Sequence, residues 1–135
     1  VTLKLQNKLI ETRRLAEAVE RLGAEYNLPI KVVFRVTLAL GEVVANVINH
    51  GYDDGDDQEI IVNLDVIDQE LICKVEDAGI PFNPLEAPLP DIAEHARQRK
   101  SGGLGILFMR TFMDHLAYER TDDRNILTLR KSLQQ

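Results

Sequence analysis

Along the chain, strand-like and helix-like spacings of apolar residues follow one another in a legible order. Residues 2–6 place Leu3 and Leu5 on one side with polar neighbours between them, the two-residue period of a short first strand. Over residues 8–26 the period lengthens. Leu9, Leu15, Val19 and Leu22 fall on one face and Glu, Arg and Lys on the other, which predicts an amphipathic helix. Asn27-Leu28-Pro29 interrupts it, because Pro29 lacks an N–H and suits the first turn of a new helix. That second helix is expected over residues 29–49, stopping at Gly51. Its many Val and Ile residues favour strands, but the long apolar pattern without turn residues favours a helix. Residues 59–67 and 70–76 read as two strands joined by the turn Asp68-Gln69. Residues 104–113 are apolar enough for a buried helix, and 116–120 with 125–133 alternate as a closing hairpin.

Two stretches fall outside these periods. Residues 52–57 are an acidic loop that lacks calcium-loop spacing. Residues 80–101 hold four of the five prolines and a charged run, which predicts a long mobile loop with one helical turn near 92–99. A loop of that length inside a compact domain is usually functional. With no repeat and no linker, the pattern describes one α+β domain over residues 1–135.

Composition narrows the function classes. The net charge of −6 argues against nonspecific nucleic-acid binding, which depends on Lys and Arg neutralising phosphates. No apolar run approaches the roughly 18 residues that span a bilayer, and no signal peptide is visible ahead of the first strand, so a cytoplasmic protein is expected. The single cysteine, Cys73, fits a reducing compartment and reads as a buried strand thiol.

Three segments carry candidate chemistry. In GEVVANVINHGY, residues 41–52, Glu42 and Asn46 are four apart and share a helix face, surrounded by Val43, Val44, Ala45, Val47 and Ile48. A carboxylate and an amide in such company need partners, or burial costs roughly 1–3 kcal/mol each; an exposed polar stripe is the alternative. Gly41, beside them, costs roughly 1 kcal/mol in a helix relative to alanine and is expected to permit close packing. In VEDAGIPFNP, residues 75–84, Asp77 ends a strand and Gly79 allows a sharp turn and a close ligand approach. Asp77 can accept a hydrogen bond from an exocyclic amine; an ordinary Asp–Gly turn has the same sequence. In SGGLGI, residues 101–106, glycines free several N–H groups ahead of a helix N-terminus, a phosphate site or a hinge. Arg97, Arg99 and Lys100 precede it, as phosphate partners or as a solvated charge run. His50 either orients phosphate or ends the helix. His95 and His115 lack metal-ligand spacing, so no zinc site is assigned.

E-x-x-x-N on a helix, D-x-G after a strand and G-G-x-G before a helix, in that order, resemble the Bergerat-type ATPases of gyrase, chaperones, histidine kinases and mismatch-repair proteins. Within that superfamily the chain is most similar to the small bacterial anti-sigma-factor serine/threonine kinases, over nearly its whole length. The resemblance implies a two-layer α+β sandwich, with a mixed or antiparallel sheet, helices on one face and an ATP lid at about 80–103. It implies ATP and Mg2+, with Asn46 as the magnesium ligand and Glu42 as the general base toward a protein serine. It also implies Asp77 as the acceptor for the adenine amine, Gly79 keeping the base pocket open, and Gly102, Gly103, Leu104 and Gly105 around the phosphates. Thr128 joins the adenine contacts on weaker grounds, since no motif flanks it. The implied partners are an anti-anti-sigma-like substrate protein and a sigma factor, with a homodimer as a further expectation and neither nucleic acid nor membrane. An ATP-regulated binding module without kinase activity remains the alternative, and a detached histidine-kinase catalytic domain the third reading.

Overall fold

The computed structural model describes residues 1–50, 58–86 and 104–133, the side chains of His50 and Leu104 excepted. Strands β1 (Thr2–Gln6), β2 (Glu59–Ile67), β3 (Glu70–Asp77), β4 (His115–Thr121) and β5 (Arg124–Ser132) form one sheet in the order β1-β2-β3-β5-β4. Every pairing is antiparallel, so of the two expected sheet types the antiparallel one is present. Helices α1 (Thr12–Glu25) and α2 (Ile30–His50) connect β1 to β2, and α3 (Leu104–Phe112) precedes β4.

Strand parity decides which side the helices cover. Leu3 and Leu5, Ile60, Val62 and Leu64, Leu71, Cys73 and Val75, and Leu127 and Leu129 all face one side and are buried there. Helix α1 answers with Leu15, Ala18, Val19 and Leu22, and α2 with Val36, Ala39, Leu40, Val43 and Val44, the i, i+3, i+4, i+7, i+8 stripe of a core-facing helix. Burial of that stripe explains why a Val-rich segment is helical: tertiary packing overrides a weak intrinsic preference. Helix α3 contributes Ile106 and Met109, and its stacked Phe108 and Phe112 rings (5.6 Å) end beneath the Arg35 guanidinium of α2, 5.3 Å from the Phe112 centroid.

The connections follow local chemistry. Helix α1 ends in a Schellman motif: Asn27 is left-handed (φ 53°), the Tyr26 N–H donates to Leu22 and the Leu28 N–H to Gly23. The Pro29 carbonyl then accepts from Val32 and Val33 to start α2. Both hairpins turn through two residues with positive φ, Asp68-Gln69 and Asp122-Asp123, the twist that two-residue hairpins require.

Four expectations need correction. Leu9 does not share the buried face of α1; it lies in a separate 3-10 turn, Leu9–Glu11, and is 53% exposed. Gly41 permits no close approach, since a Cβ there would meet no described atom within 4 Å; Gly23 does, with Val33 Cγ2 2.5 Å from such a Cβ. Residues 84–86 of the expected loop form a 3-10 turn, whereas 87–103, like the acidic loop 52–57, lie outside the described residues. Finally, Ile30–Asn49 is long and apolar enough, by length and composition, to cross a membrane. In this fold that helix lies on the sheet and carries Lys31, Arg35 and Glu42.

The two helical glycines should respond oppositely to alanine. Gly41→Ala should raise stability by about 0.5–1 kcal/mol through the unfolded chain, while Gly23→Ala should lower it by about 1–3 kcal/mol through overpacking. Urea denaturation of both variants measures this, and a stable Gly23→Ala protein would show that α1 and α2 are not held so closely. Burial pushes the Cys73 thiol up to about 12. A folded-state value above the ordinary thiol value means the fold favours the protonated form, with stability fully present below pH ~9 and declining toward pH ~12. A thiol reagent at pH 8 should therefore leave the native protein unlabelled and react on unfolding.

Candidate functional site

Helix α2 and the ends of β3 and β5 enclose one mostly apolar cavity. Its walls include Val43, Val47, Val75, Ile106, Met109 and Leu127, and its polar groups are Asn46, Asp77, Tyr118 and Asn125. Asp77 and Asn125 are the two buried polar side chains among the described residues, at 4% and 7% exposure. They are direct partners across the β3–β5 pairing.

Asp77 reaches this position because it continues the Leu71, Cys73, Val75 parity, so the strand's core face ends in a carboxylate. Its Oδ1 accepts from the Gly79 N–H at 2.8 Å, an Asx turn that reverses the chain, and from Asn125 Nδ2 at 3.1 Å. Gly79 is buried, and its carbonyl accepts from Arg120 Nη1 at 2.9 Å. The loop after it is held at further points. Asn125 Nδ2 donates to the Ile80 carbonyl at 2.8 Å, the Phe82 N–H donates to Asn125 Oδ1, and Asn83 Oδ1 caps the 3-10 turn at Leu85, whose carbonyl accepts from Arg110. Side chains from β4, β5 and α3 thus fasten residues 79–85, a preformed wall rather than a free loop.

On α2, Asn46 lines the cavity and Glu42, half-buried, lies one turn earlier. Glu42 packs instead against the start of α3. A Cβ on Gly105 would overlap Glu42 Cβ and stand 3.0 Å from both Cγ and Oε2. Gly105 therefore lets the N-terminus of α3 come against the carboxylate-bearing turn of α2.

The structure accordingly brings Asn46 and Asp77 to the cavity from facing elements, Gly79 to the turn tied to Asp77, and Glu42 to Gly105. Leu104 begins α3; Gly102 and Gly103, with Arg97, Arg99 and Lys100, lie outside the described residues. Thr128 is a correction. Leu127 and Leu129 on either side of it face the core, so Thr128 faces the opposite side of the sheet, between Lys74 and Ala117, away from the cavity. The residue on β5 that does reach Asp77 is Asn125. Strand parity was the available signal: two residues before Leu127, Asn125 shares its face.

The model of the histidine kinase-like ATPase domain matches residues 5–131. A serine/threonine-protein kinase, BtrW of Bordetella bronchiseptica, is 32% identical over 111 residues, 82% of this chain and 78% of that protein. An anti-sigma F factor of Clostridium perfringens is 27% identical over 117 residues, 86% and 84% of the two chains. In fold, the chain is similar to the RsbU and RsbW domains of Rv1364c from Mycobacterium tuberculosis. The TM-score is 0.69 at 16% identity, covering 98% of this chain but only 32% of that longer one. It is also similar to a chain of the SiaB-SiaC complex from Pseudomonas aeruginosa (TM-score 0.60, 14% identity, 97% and 88% coverage).

The Gly105–Glu42 contact makes a direct prediction. In Gly105→Ala the new methyl meets Cβ, which no rotation of the Glu42 carboxylate relieves, so stability should fall by about 1–3 kcal/mol. A thermal melt unchanged from the parent would show that α2 and α3 do not approach so closely.

Proposed function

The chain belongs to the histidine kinase-like ATPase domain family, and on that premise we propose that it is an ATP-dependent protein serine/threonine kinase of anti-sigma type. Its substrate in this reading is a small anti-anti-sigma-like protein, and a sigma factor is the partner it restrains in the cytoplasm, with a homodimer as the working assembly. The observation that carries the proposal is the cavity itself: an apolar slot ending in the Asp77 carboxylate, with Asn46 in its wall and Glu42 one turn away. The names of BtrW and the anti-sigma F factor support the kinase and anti-sigma readings respectively.

The residues divide the work by chemistry. Apolar side chains of the cavity would flank a planar base, and Asp77 Oδ2, which has no partner among the described residues, would accept from its exocyclic amine. Gly79 ties the Asp77 turn. In this reading the N–H groups of Leu104 and Gly105 at the start of α3, with those of Gly102 and Gly103 just before it in the sequence, take the phosphates. Asn46 suits Mg2+ because it offers a neutral oxygen donor at the cavity wall, and such an ion takes few protein ligands beside phosphates and waters. When bound, the ion neutralises charge on the phosphates. Glu42 takes the proton from the attacking serine hydroxyl, and the hydroxyl oxygen displaces ADP from the γ-phosphorus.

Glu42 lies outside the apolar cavity wall, so in this reading it serves the transfer step and does not hold the base. Glu42→Gln should lower phosphoryl transfer by about 10²–10⁴-fold and leave the Kd for Mg-ADP within about twofold. Radiolabel transfer to candidate substrate proteins and calorimetry measure the two. If the native protein binds ATP yet transfers no phosphate to any such substrate, the ATP-regulated binding module holds instead.

A further inference from the structure

Asn125 makes four hydrogen bonds, all within the protein. Nδ2 donates to Asp77 Oδ1 (3.1 Å) and to the Ile80 carbonyl (2.8 Å), while Oδ1 accepts from the Tyr118 hydroxyl (2.5 Å) and the Phe82 N–H (3.4 Å). A side-chain amide has two N–H groups and two acceptor positions, so its capacity is fully used. Its orientation is also determined. Turning the amide over would set oxygen against the Ile80 carbonyl and Asp77 Oδ1, and nitrogen against the Phe82 N–H. The Gly79 N–H supplies the second bond to Asp77 Oδ1. One carboxylate oxygen is thus doubly occupied, and the other has no partner among the described residues, at a cavity walled by Val43, Val75, Ile106 and Leu127.

We propose that Asn125, oriented by Tyr118, is a positioning residue that selects the base: it pins Asp77 Oδ1 so that the bare Oδ2 faces the ligand, which admits an amino-purine and opposes a keto-purine. Asn125 touches no nucleotide in this scheme; with its bonding capacity used, it acts only through Asp77 and the Ile80–Phe82 backbone. A 6-keto oxygen brought to the same place would meet a buried acceptor with an acceptor, leaving both unpaired. This inference rests on the nucleotide-binding reading of the cavity.

The test is calorimetry on the full chain with Mg-ADP and with the diphosphate of purine riboside, which lacks only the 6-amino group. The parent protein should prefer ADP by at least about tenfold, since the amine is its only additional donor. Asn125→Ala should lose about tenfold or more in ADP affinity and little for the analogue, so the preference collapses. Tyr118→Phe, which removes one donor and keeps the ring, should reduce the preference by about threefold without affecting the fold; it carries the test should Asn125→Ala not fold. Mg-GDP should bind the parent weakly and gain relative to ADP in both variants. Equal losses for ADP and the analogue would mean a purely structural role and overturn the proposal, as would an unchanged preference in Tyr118→Phe and Asn125→Ala. A parent protein that binds neither nucleotide sinks the nucleotide-binding reading and this inference with it, an outcome distinct from either.

Discussion

The pairing of β3 with β5 is the contact on which the rest depends. Residues 1–77 build three strands and two helices, and 115–132 build a separate hairpin; the ladder from Glu70↔Ser132 to Asp77↔Asn125 makes them one sheet. Register matters more here than strand count. A slip of one residue would turn Leu127 and Leu129 outward and carry Asn125 to the far face, removing the core and the Asp77 partner together. Antiparallel strands of alternating burial are strongly specified against such a slip, because every side chain on the buried face would change sides at once.

That pairing also explains how a polar pair survives in the core. The carboxylate of Asp77 sits beside apolar neighbours, yet it accepts two hydrogen bonds and the facing amide is fully bonded. The loop that follows is held from three separate elements, through Asn125, Arg120 and Arg110. A cavity whose wall is fastened before any ligand arrives has less ordering entropy to lose on binding. Helix α2 gives the opposite wall, and its two faces do different work. Val36, Leu40, Val43 and Val44 anchor it in the core while Glu42 and Asn46 interleave among them. Core packing therefore sets the direction of the site residues, and the two cannot be altered independently.

Much of this was legible in the residue pattern. All five strands and three helices follow the apolar periods to within a few residues, since long amphipathic stretches and two-residue turns leave few alternatives. Glu42 and Asn46 could be singled out as a carboxylate and an amide sharing one helix face amid apolar residues, and Asp77 and Gly79 as an acidic residue and a glycine closing a strand. What the pattern hid was pairwise. The choice between Asn125 and Thr128 depends on which face of β5 meets the core, and local polarity alone does not decide it. Gly23 and Gly41 look alike in a helix, and only the position of Val33 separates a required glycine from a dispensable one. Leu9 fits the helical period but precedes the helix, because the chain first makes a 3-10 turn there, with the Glu11 carboxylate bound to the Gln6 N–H.

The two hairpin tips bear on how far this sequence has been optimised. Asp68, Gln69, Asp122 and Asp123 all hold left-handed backbone that glycine adopts freely, at a cost of about 1 kcal/mol or more for each side chain present. Such a cost is comparable, over four positions, with a sizeable part of a small domain's whole stability. Selection maintains a threshold and does not seek a maximum. The molecule thus holds unclaimed thermodynamic reserve at two solvent-exposed tips. One of them, Asp122-Asp123, lies only two residues from Asn125, so relief of strain at that tip would fall on the same strand that carries the partner of Asp77.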